Sequence, residues 1–191
     1  METLSTQRIR LEIIQEHHYE SLKKYVLDEN LWTYSTIRIK TEADFKKYFN
    51  QALRLTKQTT QRAFVVFDTS IQEYVGMTRL YAFDSTNKST KIGFTWYAPL
   101  VQGTGINLHC KYLILNLAFE ELDIERVELN ADNRNIRSIA AMKKIGFQQE
   151  GILRKNIYLP DGHKRDTIVF SMLSNEWKSL YKKELEAKIK P

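Results

Sequence analysis

Residues 92–119 read IGFTWYAPLVQGTGINLHCKYLILNLAF, and this stretch decides how the whole chain folds. It opens as a strand, Lys91 to Ala98, that Pro99 stops because proline cannot donate to a ladder. It continues through a short loop with two glycines, Gln102-Gly103-Thr104-Gly105-Ile106-Asn107. It then enters a helix from about Gly105 to Leu122, apolar on most faces (Leu108, Tyr112, Leu113, Leu115, Leu117, Phe119), as a helix buried on a sheet must be. Backbone N–H groups at a helix start lack partners and lie at the positive end of the helix dipole. Glycines let a phosphate approach that backbone closely. The hexapeptide therefore suits a pyrophosphate, and equally a glycine N-cap with no ligand. It lacks the Gly-Lys-Ser/Thr ending of a P-loop, and Leu108 stands where a dinucleotide fingerprint needs its third glycine.

Upstream, Arg8 to Ile14 alternates as a half-buried strand does. Tyr19, Leu22, Val26 and Leu27 recur at helical spacing. Thr41 opens a second helix with Asp44 in capping-box position, and Phe45, Tyr48, Phe49, Ala52 and Leu53 form its stripe. The aromatic loop Trp32-Thr33-Tyr34 joins the two. Ala63 to Phe67 and Tyr74 to Phe83 are strands, the latter paired with Lys91–Ala98 across the turn-rich 84–87. Downstream, Val127 to Asn130 is a strand, and Asn133 or Asn135 caps a helix that Gly146 ends. A hairpin turning at Pro160-Asp161-Gly162 returns through Asp166 to Leu173, and Ser174 or Asn175 caps a last helix. The order predicts one α/β domain over 1–191 with a C-terminal helix at 173–191. Its mixed, mostly antiparallel twisted sheet has about seven strands flanked by helices.

Composition narrows the classes. The 191 residues, 42% apolar with 7 Gly and 3 Pro, suit one cored domain without low complexity. No apolar run of about 18 residues predicts a membrane span, and the N-terminal residues carry no secretory core. A single cysteine, Cys110, fits a reducing cytoplasm. Part of the formal charge of +6 sits at the end, where Lys178, Lys182, Lys183, Lys188 and Lys190 mix with Glu184 and Glu186 as in a solvated terminal helix, so nucleic acid is not an expected partner.

The loop resembles motif A of the GNAT acetyltransferases, Gln/Arg-x-x-Gly-x-Gly/Ala: Gln102 and Gly105 match, and Asn107 replaces the last small residue. WYAPLVQGTGIN, VELNADNRNIRSIAAMKKIGFQQEGILRK and YLPDGHKRDTIVFSML together resemble the Rim-type branch, whose best-known members acetylate ribosomal-protein N-termini. The element order from residue 8 fits as well, so the resemblance covers nearly the whole chain. It implies an enzyme moving an acetyl group from acetyl-CoA to a primary amine, on a protein N-terminus or a small molecule, without a metal. Gln102, Gly103, Thr104, Gly105, Ile106 and Asn107 would hold the pyrophosphate. The backbone near Trp96 and Tyr97 would pair with pantetheine and offer one N–H to the thioester oxygen. Asn135 would touch the pantetheine arm, and Ser138 would protonate the departing thiolate. Trp32, Tyr34 and Tyr158 would contact the acceptor, and a strand edge near the final hairpin would allow a homodimer.

Blander readings stand beside these. Ser138 suits a packed helix position, and Asn135 an N-cap alone. Cys110 on an apolar helix reads as inert packing, and His17-His18 as a solvated helix start. Exposed Asp161, Asp166 and Glu150 suit a cationic amine or nothing in particular. The alternative function is a non-catalytic acyl-CoA sensor on the same fold; a nucleic-acid module ranks last.

Overall fold

A computed structural model of the chain describes residues 3–190; the predicted domain limits 1 and 191 lie outside them. Eight strands form one sheet: β1 (Thr3–Ser5), β2 (Ile9–Ile13), β3 (Gln61–Asp68), β4 (Glu73–Asp84), β5 (Ser89–Tyr97), β6 (Arg126–Asp132), β7 (Gln148–Tyr158) and β8 (Lys164–Leu173). The helices are α1 (His18–Val26), α2 (Glu42–Lys57), α3 (Ile106–Asn116), α4 (Ile136–Ile145), α5 (Ser174–Glu176) and α6 (Lys182–Ile189). The sheet order is β1-β2-β3-β4-β5-β6-β8-β7, and only β5 with β6 is parallel. That pair is joined by the crossover through α3, which parallel neighbours require.

The count exceeds the expected seven by β1, Thr3-Leu4-Ser5, too short for any periodicity to announce its pairing with β2. Elsewhere the pattern holds. The Thr41–Asp44 capping box forms at α2, whose five predicted stripe residues are all buried. Gly146 ends α4 at φ +107°. Two expectations need correction. His18 is not solvated: its side chain is 1% exposed, and its Nδ1 accepts the Gln15 N–H at 3.0 Å. At the last helix the cap comes from Glu176, whose carboxylate accepts the Leu173 N–H at 2.9 Å; Ser174 and Asn175 lie inside the first turn.

The sheet divides two cores. Trp32, Phe45, Phe49, Met77 and Trp96 pack under α1 and α2. Leu80, Ile92, Ile114, Met142, Phe170 and Trp177 pack under α3, α4 and the C-terminal segment. No helix among the described residues is long and apolar enough to cross a membrane.

Candidate active site

The parallel pairing of β5 and β6 runs only from Ser89–Arg126 to Ile92–Leu129. Beyond it each strand keeps its outer neighbour, β5 with β4 as far as Tyr97 and β6 with β8 as far as Asp132. The sheet therefore splits, and Gly93–Tyr97 faces Asn130–Asp132 across an opening. The cause is local. Between Met77 and Arg79 the β4–β5 register slips by one, so Phe94 and Thr95 together oppose Thr78. Phe94 takes φ +52°, the left-handed conformation of a bulge, and a bulge bends its strand and raises its twist. Gly93 fits the same place: a Cβ there would meet the Tyr81 ring at 2.8 Å, so only glycine lets that ring lie across the strand.

The free edge of β5 is polar backbone. Ala98 N–H donates to Val75 O at 2.7 Å, and strand alternation therefore turns the Tyr97 N–H away from β4 into the opening. The Tyr97 carbonyl on that side already accepts the Gln102 side-chain amide at 2.8 Å. Gln102 thus fastens the loop to the strand end. Gly103 and Gly105 take φ +81° and +90°, and Gly105 is the N-cap of α3. Among the described residues no hydrogen bond is made by the N–H groups of Gly103, Gly105, Ile106 or Asn107. The Asn107 carboxamide turns inward to accept the Tyr97 hydroxyl at 3.1 Å, and Ile106 is buried. What the loop offers outward is therefore main chain.

One contributor escaped the sequence reading. Arg8, just before β2, reaches the loop 96 residues away. Its guanidinium donates to Thr104 O and, at 2.8 Å, to Thr104 Oγ1, and it pairs with Asp68 at 3.4 Å. This cation sits beside the free N–H groups. No local signal marks it, because β2 reaches the loop only through sheet and helix packing.

Across the opening, Asn135 caps α4 and its Oδ1 accepts the Ser138 N–H at 3.0 Å. Ser138 is half-buried. Of the expected acceptor contacts, Trp32 is buried and donates its indole N–H to Val26 O at 2.8 Å. Trp32 still forms one wall of a groove of about 300 Å³ with Ser35 and Arg38, opposite Leu159, Pro160 and Asp161 of the β7–β8 turn. Tyr34 and Tyr158 are not in that groove. Tyr34 lies 5.6 Å under the Arg134 guanidinium, and Tyr158 is 68% exposed under Lys164. Trp96 is buried, so it is its backbone that lies along the free edge of β5. The three acidic candidates have structural partners. Glu150 takes Arg126 and Ser171, Asp166 takes the Lys155 N–H, and Asp161 the His163 N–H.

Burial sets the titrations behind the opening. It pushes the Cys110 thiol up, away from the reactive thiolate, and the Tyr97 hydroxyl well up. It pulls the Lys111 amine down; Nζ bonds Thr95 Oγ1 at 3.2 Å. Glu12, His17 and His18 bring ligand-type atoms within 4.8 Å of one another. His18 Nδ1 accepts Gln15 N–H, so in the neutral ring the proton is on Nε2, facing Glu12 Oε2 at 3.4 Å. The His18 ring therefore keeps no lone pair for an ion.

The comparisons agree with this geometry. The family model described as "Acetyltransferase (GNAT) domain" matches residues 8–148. A Bacillus subtilis (strain 168) protein named "Putative ribosomal N-acetyltransferase YdaF" is 35% identical over 102 residues, 53% of this chain and 55% of that protein. "Uncharacterized N-acetyltransferase YnaD" of the same organism is 25% identical over 175 residues, 91% of this chain and 98% of its own. The crystal structure of a GCN5-related N-acetyltransferase from Brucella melitensis superposes with a TM-score of 0.89 at 25% identity, covering 100% of this chain and 86% of that one. A split sheet, a main-chain loop at a helix start and a family match over most of the chain lead to one conclusion: the chain belongs to the GNAT acetyltransferase family.

Proposed function

We propose that the protein transfers an acetyl group from acetyl-CoA to a primary amine by direct attack on the thioester. The observation that carries this reading is the alignment of two unsatisfied backbone surfaces. The free N–H groups of Gly103–Asn107 suit a pyrophosphate. The edge of β5 suits a pantetheine arm that pairs as a strand would. Arg8 adds a positive charge beside the loop, and the Tyr97 N–H would face the thioester oxygen. One preorganised donor of that kind is worth about 2.7–4 kcal/mol at the transition state. Asn135 would hold the arm and Ser138 would protonate the thiolate. The amine would enter by the groove between Trp32 and Pro160, with Tyr34 and Tyr158 at its outer limits. An α-amine, with a pKa of about 7.7–8.0, needs little help to lose its proton; the relative named for ribosomal N-acetylation favours a protein N-terminus as one acceptor.

The same reading makes the protein cytoplasmic and metal-independent. The outer edge of β7, with Ile152, Leu153 and Ile157 exposed, suits a homodimer. Calorimetry with acetyl-CoA and CoA, followed by thiol release with a panel of peptides and amines, tests the proposal. Micromolar binding with thiol release supports it. Binding without release from any amine leaves a non-catalytic acyl-CoA sensor. No binding of either ligand removes the cradle and the function together.

A further inference from the structure

Under α1 and α2 the sheet holds a charge that no group among the described residues neutralises. Arg79, in the middle of β4, is 1% exposed. Its guanidinium lies 4.4 Å from the Tyr48 ring of α2 and 4.4 Å from the Phe94 ring of β5. Nε and Nη2 are buried without a hydrogen-bond partner, and no carboxylate among the described residues pairs with the side chain. Two more donors in the same aromatic cluster are buried and unmatched, the Tyr48 hydroxyl and Trp96 Nε1. Trp32 links them, its ring 6.0 Å from Tyr48 and 6.1 Å from Trp96.

Three side chains from three elements of one aromatic cluster thus carry buried donors, and no acceptor among the described residues answers them. Contacts with aromatic faces compensate an arginine only in part, and a buried charge without a partner is costly to keep. The site is one side chain away from both openings already described. Phe94, which covers the guanidinium, is the half-exposed bulge residue at the split in the sheet. Trp32 is a wall of the groove facing Pro160.

We propose that Arg79, Tyr48 and Trp96 form a specificity pocket for a carboxylate carried by the amine acceptor. This rests on the transfer reading and deepens it: the preferred acceptor is an amino acid, or a peptide with an acidic group close to its amine, rather than an alkylamine or polyamine. A carboxylate fits the two open guanidinium donors as a fork. Its single negative charge matches the single positive charge of the cluster. Entry requires the Phe94 ring to move off the guanidinium.

The test measures equilibrium binding by calorimetry, with and without CoA, so that it needs no turnover. The probes are matched pairs: an amino acid against its carboxamide, and an Asp- or Glu-containing dipeptide against its Asn or Gln counterpart. The wild-type protein is expected to bind the carboxylate member about 10- to 150-fold more tightly, the range of a charge-assisted hydrogen bond. The pair showing the larger difference tells a free amino acid from a peptide. In Arg79→Met the two members should bind equally. Tyr48→Phe removes one oxygen without a cavity, and it should narrow the difference several-fold while leaving CoA affinity intact. Equal binding of both members by the wild type overturns the proposal, as does an undiminished preference in either variant. A carboxylate preference in a protein that binds CoA but never releases thiol would sink the transfer reading and leave the pocket standing.

Discussion

Replacing Arg8 by methionine should loosen acetyl-CoA binding without touching the loop that binds it. Arg8 holds Thr104 through its carbonyl and, at 2.8 Å, its hydroxyl. The side chain is 26% exposed, so each charge-assisted bond is discounted from its buried value to about 0.5–1 kcal/mol. Two such bonds amount to about 1–2 kcal/mol of loop ordering, a weakening of about 5- to 30-fold in Kd. A second effect must be separated from this one. Arg8 also pairs at 3.4 Å with Asp68, whose side chain is fully buried and, among the described residues, otherwise accepts only Ser70 N–H and Oγ at 2.9 and 2.6 Å. Removing the cation alone strands that carboxylate and costs stability of its own. The double variant Arg8→Met/Asp68→Asn removes both charges, so it should recover most of the lost thermal stability while the affinity loss remains. Calorimetry with acetyl-CoA on the wild type, the single and the double variant reads the two effects apart. A double variant that binds within about twofold of wild type would refute the idea that Arg8 organises the loop.

Three other outcomes follow from the same structure. Ser138→Ala should lower kcat by about tenfold with acetyl-CoA affinity unchanged, less than the about 10²- to 10⁴-fold of general acid–base catalysis because a thiolate leaves readily; an unchanged kcat in steady-state assays removes Ser138 from the chemistry. Gly146→Ala should cost about 2–4 kcal/mol, since φ is +107° and a Cβ would meet the Tyr181 ring at 2.3 Å. Differential scanning calorimetry should show this as a drop of about 5–15 °C in Tm. Stability should also fall as the pH drops below 6.5. Burial holds both His18 and His109 below that ordinary value, so the unfolded chain binds the extra protons. Denaturant titrations of His18→Gln should show a shallower acid slope than wild type, and an equal slope would assign the effect elsewhere.

Local sequence was sufficient wherever the governing interactions are local. Proline stops β5, Thr41 and Asp44 begin α2, Gly146 ends α4, and the apolar stripe of α2 is the buried one. The loop from Gln102 to Asn107 was legible for the same reason, because its φ values and its unpaired helix start depend on residues within one turn. Sequence resemblance then supplied the family and the expected roles of Asn135 and Ser138. Only the tertiary structure decided what depends on distant chain meeting distant chain. The bulge at Phe94 and the end of the β5–β6 pairing at Ile92 open the site, yet these registers are set by partners 14 and 19 residues apart across β4–β5 (Arg79 with Gly93, Met77 with Trp96) and 37 apart across β5–β6 (Ser89 with Arg126). Arg8 reaches Thr104 across 96 residues, and Arg79 is left unpaired because packing brings it aromatic rings and no carboxylate. His18 and β1 were misread for a related reason. Burial is a property of what covers a residue, and a three-residue strand exists only because β2 offers it an edge.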